Sequence, residues 1–371
     1  RALVFQKVSE VLQYHVARSE QERGACAEIL LNILRTIQSL IIQKGLTDAI
    51  KDTMYNVISL VQSFQPYMDQ MLAEIKELKD SIEKASLAEI AEKDKKKDKS
   101  GAAAAEEADE NKQAQTPAVN IQEATEKLRI KKRILSDMSC AILSVINIYN
   151  NKDMFQYHLE LDAKYGADAK TLQDFIGMYK YLLVKEAFPE NWFGFHAFVL
   201  NALYDSMGVV SNYLMSTGFS QDAFNFEVWD ELLTNSMFHL LALDDVNMEK
   251  FCTAKRLIFL ARFGDFRLKL MSQLQNTWNS LGSMQRNFVP SIVNPILKIY
   301  KQLNSVTLRK EVMQLYFSVL QREHEMKKSL ESCESVTQRT IVDMDEAILG
   351  TFLEGLAERF AKDSAMGELG M

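Results

Sequence analysis

The side chains that could do chemistry are sparse and scattered. The five histidines, His15, His158, His196, His239 and His324, do not pair at metal-ligand spacing, and no His-Glu-x-x-His run occurs. His239 sits in the apolar run SMFHLLAL, where a core imidazole hydrogen-bonded to a carbonyl is expected. The four cysteines, Cys26, Cys140, Cys252 and Cys333, form no Cys-x-x-Cys pair, so they read as thiols of a reducing compartment rather than as a disulfide framework. There is neither a Gly-x-Ser-x-Gly elbow nor a phosphate-cradling Gly-x-x-x-x-Gly-Lys-Ser/Thr loop. The carboxylates fall at helical spacings that leave them solvated. These residues therefore assign no catalytic, cofactor-binding or metal-binding position, and no cofactor is expected.

The elements that carry them are helices. Cys26, Ile29, Leu30, Ile33, Leu34, Ile37, Leu40 and Ile41 recur at i, i+3, i+4, i+7, which gathers them on one helix face. Gly45 is a natural stop, and Thr47 can cap a following helix whose apolar face is Ile50, Met54, Val57, Val61 and Phe64. Pro66 should end or kink that helix. Hardly any segment sustains strand alternation, and prolines number only 5 among 371 residues. Hydrophobic residues make up 47% and charged residues 25%, enough apolar material for a large core. A net charge of −7 gives no broad footprint for nucleic acid. No apolar run is read as spanning a bilayer, the amphipathic start does not resemble a signal peptide, and a cytoplasmic address follows. Arg1 in place of Met suggests a piece of a longer protein.

Between residues 85 and 119 the pattern breaks. EKDKKKDKSGAAAAEEADENKQAQTP holds no aromatic, isoleucine or leucine, and Asp94, Asp98 and the acids that follow offset most of the charge of its lysines. Such a stretch cannot bury enough apolar area to offset the entropy of ordering, so it reads as a disordered charged linker with a coil span of about 30 Å. Helical patterning resumes at about Gln122, with further starts near Asp168, Pro189, Asn225, Asn247, Asp265, Phe288 and Ser305. In the second half helix pairs recur about every 40 residues, the period of armadillo and HEAT-type repeats, though a helical bundle with short loops gives similar spacings and stands as the alternative that periodicity leaves. The expected fold is all-α: an armadillo/HEAT-like right-handed helical solenoid with one long disordered internal linker. Its expected segments are helical repeats over 1–84, the linker over 85–119, armadillo-like repeats over 120–340, and a helical segment over 341–371.

Two aromatic crowds, Trp192, Phe193, Phe195 and Phe198, then Phe224, Phe226 and Trp229, read as core anchors at repeat ridges. Pro290 fits the first turn of a helix, whereas Pro295 should remove a helix hydrogen bond and bend the segment.

One resemblance goes further. The runs NFEVWDELL, KFCTAKRLIFLARFGDFRLKLMSQLQNTWNSLG and NFVPSIVNPILKIYKQLNSVTLRKEVMQLYFSVLQREHE are similar to the dedicator-of-cytokinesis family. The matching elements are Phe226 and Trp229, Ala254–Lys255–Arg256, the Phe263–Gly264–Asp265 turn, Trp278 and Leu281–Gly282. They continue through Phe288, Pro290, Ser291, Pro295, Ile296, Leu297, Leu308–Arg309–Lys310 and Phe317. The similarity runs from about Thr171 to Glu325 and implies the central armadillo-like helical region of a guanine nucleotide exchange factor. The resemblance implies a Rac-family GTPase as partner of an exchange domain downstream of residues 341–371, and an engulfment-and-motility adaptor. It further implies recruitment to the plasma membrane through other domains, a homodimer formed through the parent's C-terminal region, and roles in actin remodelling, migration, engulfment or cell fusion. It carries over no catalytic residue and implies no nucleic acid. An unrelated armadillo-type adaptor that binds extended peptides stands as the alternative.

Overall fold

The computed structural model describes residues 2–99, 116–164, 166–189, 192–217, 224–243 and 248–363. Helix dominates them, and no strand occurs among the described residues. Two compact units emerge, one formed by Arg1–Val145 with Tyr181–Asn191, the other by Ile146–Lys180 with Trp192–Met371.

In the first unit, α1 (Ala2–Val16) packs on both α2 (Glu20–Lys44) and α3 (Asp48–Ser63), and α4 (Gln65–Lys99) follows. Ser19 caps α2 by accepting from the Glu22 N–H, and Gly45 ends it at φ 73°, a backbone state that costs glycine nothing. Thr47 precedes α3 without a side-chain cap bond. Phe64 closes α3 and Pro66 falls in the first turn of α4, so the proline separates two helices as expected. Leu30, Leu34, Met54, Val61 and Met68 are buried between these helices, with Leu135 and Met138 of α5 (Thr116–Tyr149). By length and composition α2 suffices to cross a bilayer, contrary to the reading above, but its Cys26, Ala27, Leu30, Leu34 and Ile37 are buried in this unit.

The charged stretch is shorter than expected. Helix α4 runs to Lys99 and α5 starts at Thr116, so helix covers 85–99 and 116–119, and 100–115 lie outside the described residues. A core is needed to start a helix, not to extend one. Once α4 is nucleated by its packed first half, alanine, glutamate and lysine propagate it at little cost per residue.

Lys131 ties this unit together. It is largely buried, with its ammonium 2.8 Å from Glu20 of α2 and 2.7 Å from Glu74 of α4. Burial disfavours the charge, but the two carboxylates outweigh it and hold the ammonium pKa above the ordinary lysine value. Lys131→Met should therefore lower stability by about 1 kcal/mol and weaken its salt dependence, because two half-exposed carboxylates lose their shared cation. Urea unfolding at low and high salt measures this; equal stability in both would show that the pair contributes nothing.

The second unit takes in the end of α5 from Ile146, then α6 (Lys152–Ala163), α7 (Asp168–Gly177) and the start of α8 (Tyr179–Leu183), whose last three residues belong to the first unit. It continues with α9 (Phe193–Ser216), α10 (Phe226–Asp230), a π-helical stretch Glu231–Phe238 and α11 (His239–Leu241). Then come α12 (Thr253–Phe263), α13 (Phe266–Ser280), α14 (Val293–Gln302), α15 (Val306–Lys327), α16 (Glu331–Ile341) and α17 (Glu346–Lys362). The repeat is visible in the caps. Asn225, Asp265, Ser305 and Asp345 each accept a backbone N–H at the start of α10, α13, α15 and α17, and each stands 40 residues after the one before. Helices of the same kind pack on one another, α13 on α15, α15 on α17 and α14 on α16, as stacked pairs require. Starts alternate between long and short intervals rather than falling evenly.

Pro295 does not bend α14. It is the third residue of the helix, where the first four N–H groups have no intrahelical acceptor, so its missing donor costs nothing. Pro290 lies in the turn before α14, not in a helix.

Candidate functional site

A gathering of chemically capable side chains around His158 is buried. His158 of α6 faces Tyr149 of α5, with Nδ1 2.7 Å from the phenol oxygen, and Nε2 3.2 Å from Asp162 Oδ2. Thr171 of α7 donates to the same carboxylate oxygen at 2.7 Å. Burial drives the imidazole towards its neutral form, partly opposed by Asp162. With Tyr149, His158 and Asp162 all nearly inaccessible, the arrangement staples α5, α6 and α7 and offers no substrate a path. The i, i+4 spacing of His158 and Asp162 was the signal for it. Among the described residues no group of three His, Cys, Asp or Glu side chains gathers that could hold a metal.

His239 is not a core histidine: it is exposed. The reason is the π-helical stretch before it, where the Ser236 hydroxyl bonds the Glu231 carbonyl at 2.9 Å. The wider turn rotates residues beyond it off the 3.6-residue phase.

The residues that carried the family resemblance converge on packing. Trp278 of α13 is 1% exposed, and its indole N–H donates to Ser318 Oγ at 2.9 Å, the residue one repeat on. Phe288 meets the edge of Trp278 and stacks on Phe226 at 4.9 Å. Gln285 donates to the Trp278 carbonyl at 2.6 Å and accepts from Arg322 of α15 at 2.7 Å. In the Phe263–Gly264–Asp265 turn, Gly264 at φ 73° ends α12 and Asp265 caps α13. Trp229, Ile296, Leu297 and Leu308 are buried.

The first aromatic crowd is different. Trp192 and Phe198 are about half exposed, and Phe193 and Phe195 are only partly covered. Trp192, Phe195 and Phe198 recur every three residues and so form a stripe of their own, apart from the buried Ala197, Leu200, Leu203 and Met207 of α9. Helix α12 beside it presents Leu257 and Ile258 to solvent, and only its Phe259 is buried, against Phe193 and Phe251. In the second crowd, Trp229 is a core anchor but Phe226 remains 40% exposed.

A cleft of about 850 Å³ lies between α9 and α13. Tyr204, Gly208, Ser211, Asn212 and Met215 line it from α9, and Lys269, Ser272, Gln273, Asn276 and Thr277 from α13. Asn150 closes one end, its Nδ2 donating to the Ala202 carbonyl at 3.1 Å. Ser211 and Thr277 bond one another at 2.8 Å beneath it. The absence of a Cβ at Gly208 makes the room, since one there would come within 3.2 Å of Gln273 Nε2. The one sequence signal for this cleft is Gly208 and Asn212, at i, i+4 on α9.

A family model described as the dedicator of cytokinesis (DOCK) TPR region matches residues 1–351. The chain belongs to the dedicator of cytokinesis family. The match takes in the helices upstream of Thr171, which the residue pattern alone did not align. Its description names tetratricopeptide-type repeats where the sequence period suggested armadillo or HEAT; both are stacked helix pairs. Dedicator of cytokinesis protein 3 of Mus musculus and of Homo sapiens is 26% identical over 126 residues, 33% of this chain and 6% of theirs. Dedicator of cytokinesis protein 4 of Homo sapiens is 23% identical over 132 residues, 34% of this chain and 7% of its own length. The chain thus spans a small fraction of the relatives it matches.

Proposed function

We propose that this chain is the helical scaffold of a dedicator-of-cytokinesis-type guanine nucleotide exchange factor for a Rac-family GTPase. It holds membrane- and adaptor-binding modules in register with an exchange domain of the parent protein, towards which residues 341–371 lead. The observation that carries the reading is the family match over residues 1–351, in which the matching side chains build repeat interfaces rather than a reactive centre. On this reading the parent binds an engulfment-and-motility adaptor, is cytoplasmic and is recruited to the plasma membrane through other domains. It dimerises through its C-terminal region and serves actin remodelling in migration, engulfment or cell fusion.

A scaffold contributes effective concentration, not chemistry. Nucleotide release needs a surface that opens the GTPase switches and disturbs the magnesium and phosphate contacts. The 371-residue chain in excess should leave release of fluorescent nucleotide from purified Rac at its intrinsic rate, while a longer chain that includes the exchange domain accelerates it. Acceleration by the 371-residue chain to a comparable rate would overturn the reading.

A further inference from the structure

We propose that the α9–α13 cleft binds an extended segment of a partner polypeptide, about five residues long, chiefly through its backbone. Four carboxamides meet in the cleft: Asn150, Asn212, Gln273 and Asn276. Each offers donors and an acceptor on one flat group, the same pairing that a peptide unit presents in reverse. Two of them are incompletely used. Asn150 Oδ1 and both Gln273 Nε2 and Oε1 are shielded from solvent and find no hydrogen-bond partner among the described residues. Buried polar groups are nearly always paired, so three such atoms in one cleft mark capacity held for something else.

The dimensions agree. From Tyr204 to Met215 α9 rises about 17 Å, which an extended chain covers in about five residues. Ser272 adds an exposed hydroxyl to the lining, while those of Ser211 and Thr277 bond one another beneath it. Lys152, Lys269 and Asp205 also line the cleft, two cations to one carboxylate, which favours a segment with one acidic side chain over a basic one. Phosphate-rich ligands fit poorly, because their recognition draws on clustered arginine and lysine rather than on carboxamides. The cleft lies within the second unit and is independent of which GTPase the parent serves.

The test uses the whole 371-residue chain and a phage-displayed library of random dodecapeptides. The enriched peptide, made with a fluorescent label, is the probe in anisotropy titrations. Asn212 and Asn276 are exposed, so Asn212→Ala and Asn276→Ala keep the fold, checked by circular dichroism, and each should weaken binding about five- to tenfold. N-methylation of alternate peptide nitrogens should weaken it about tenfold or more, which side-chain recognition alone would not produce. Gln273→Leu should raise the melting temperature while lowering affinity, the opposite signs expected of a polar group kept for binding. No enriched peptide, unchanged affinity in both asparagine variants, indifference to N-methylation, or a lower melting temperature in Gln273→Leu would each overturn the proposal.

Discussion

Trp278→Ala should destabilise the second unit by about 3–5 kcal/mol, the range for losing a fully buried large aromatic and leaving a cavity. The indole is enclosed by Phe288 and by the α13–α15 interface, and its N–H is satisfied by Ser318, whose own hydroxyl donates to the Leu315 carbonyl at 2.9 Å. The loss therefore falls on the contact between two repeats, and in stacked repeats a weakened interface lowers the stability of both neighbours. For a unit of this size the melting temperature should drop by roughly ten degrees. Trp278→Phe keeps most of the volume and loses the hydrogen bond, so it should cost only about 1–2 kcal/mol. Differential scanning calorimetry of both variants separates packing from hydrogen bonding. Unchanged stability in Trp278→Ala would mean that the indole does not hold the repeats together.

Glu323→Ala should cost about 3 kcal/mol, because it strands two backbone donors at the start of α16. Glu323 of α15 is fully buried, yet it is charged for a reason. Its carboxylate accepts from the Cys333 N–H at 2.8 Å, the Ser332 N–H at 3.1 Å and the Lys327 ammonium at 3.3 Å. Two of these are orphan donors of the first turn of α16, so a side chain from one helix caps the next. Burial opposes the charge, but these hydrogen bonds outweigh it and hold the carboxyl below its ordinary range. Because the folded value lies below the unfolded one, the stabilisation is complete above the unfolded value of about 4.5 and is lost as pH falls through the folded value. Burial, reinforced by the same carboxylate, pushes the Cys333 thiol well above its usual range, so Cys333 stays a neutral core side chain. Glu323→Gln should be less stable than the native chain at neutral pH and show a shallower decline in acid. Equilibrium unfolding between pH 3 and 7 checks both; parallel pH curves for the two proteins would contradict the assignment.

Helix, repeat period and family were all present in the linear pattern. Asn225, Asp265 and Ser305 could be named as helix starts because capping is local. A short polar side chain bonds N–H groups two or three residues on, whatever the rest of the molecule does. Pro66 and Gly45 acted where local backbone sterics said they would. The sequence was less reliable wherever the outcome depended on what lies opposite. Trp192 and Trp278 are the same residue type on amphipathic helices, but Trp278 meets α15 and Phe288 while the stripe bearing Trp192 stays half uncovered. His239 and Pro295 moved because one π-helical stretch and one late helix start reset the phase on which a projection depends. Extension of α4 to Lys99 was hidden because composition reports the ability to form a core, whereas helix propagation needs only a packed beginning. The α9–α13 cleft was invisible for the deepest reason. Gly208, Asn212, Gln273 and Asn276 become a site only when two helices, separated in the chain by three others, are brought side by side. The sequence by itself determined which segments are helices and how often they repeat, since both follow from interactions a few residues apart. Tertiary structure alone decided which aromatic faces are covered and which polar groups share a cleft, since burial and pairing are properties of opposing surfaces.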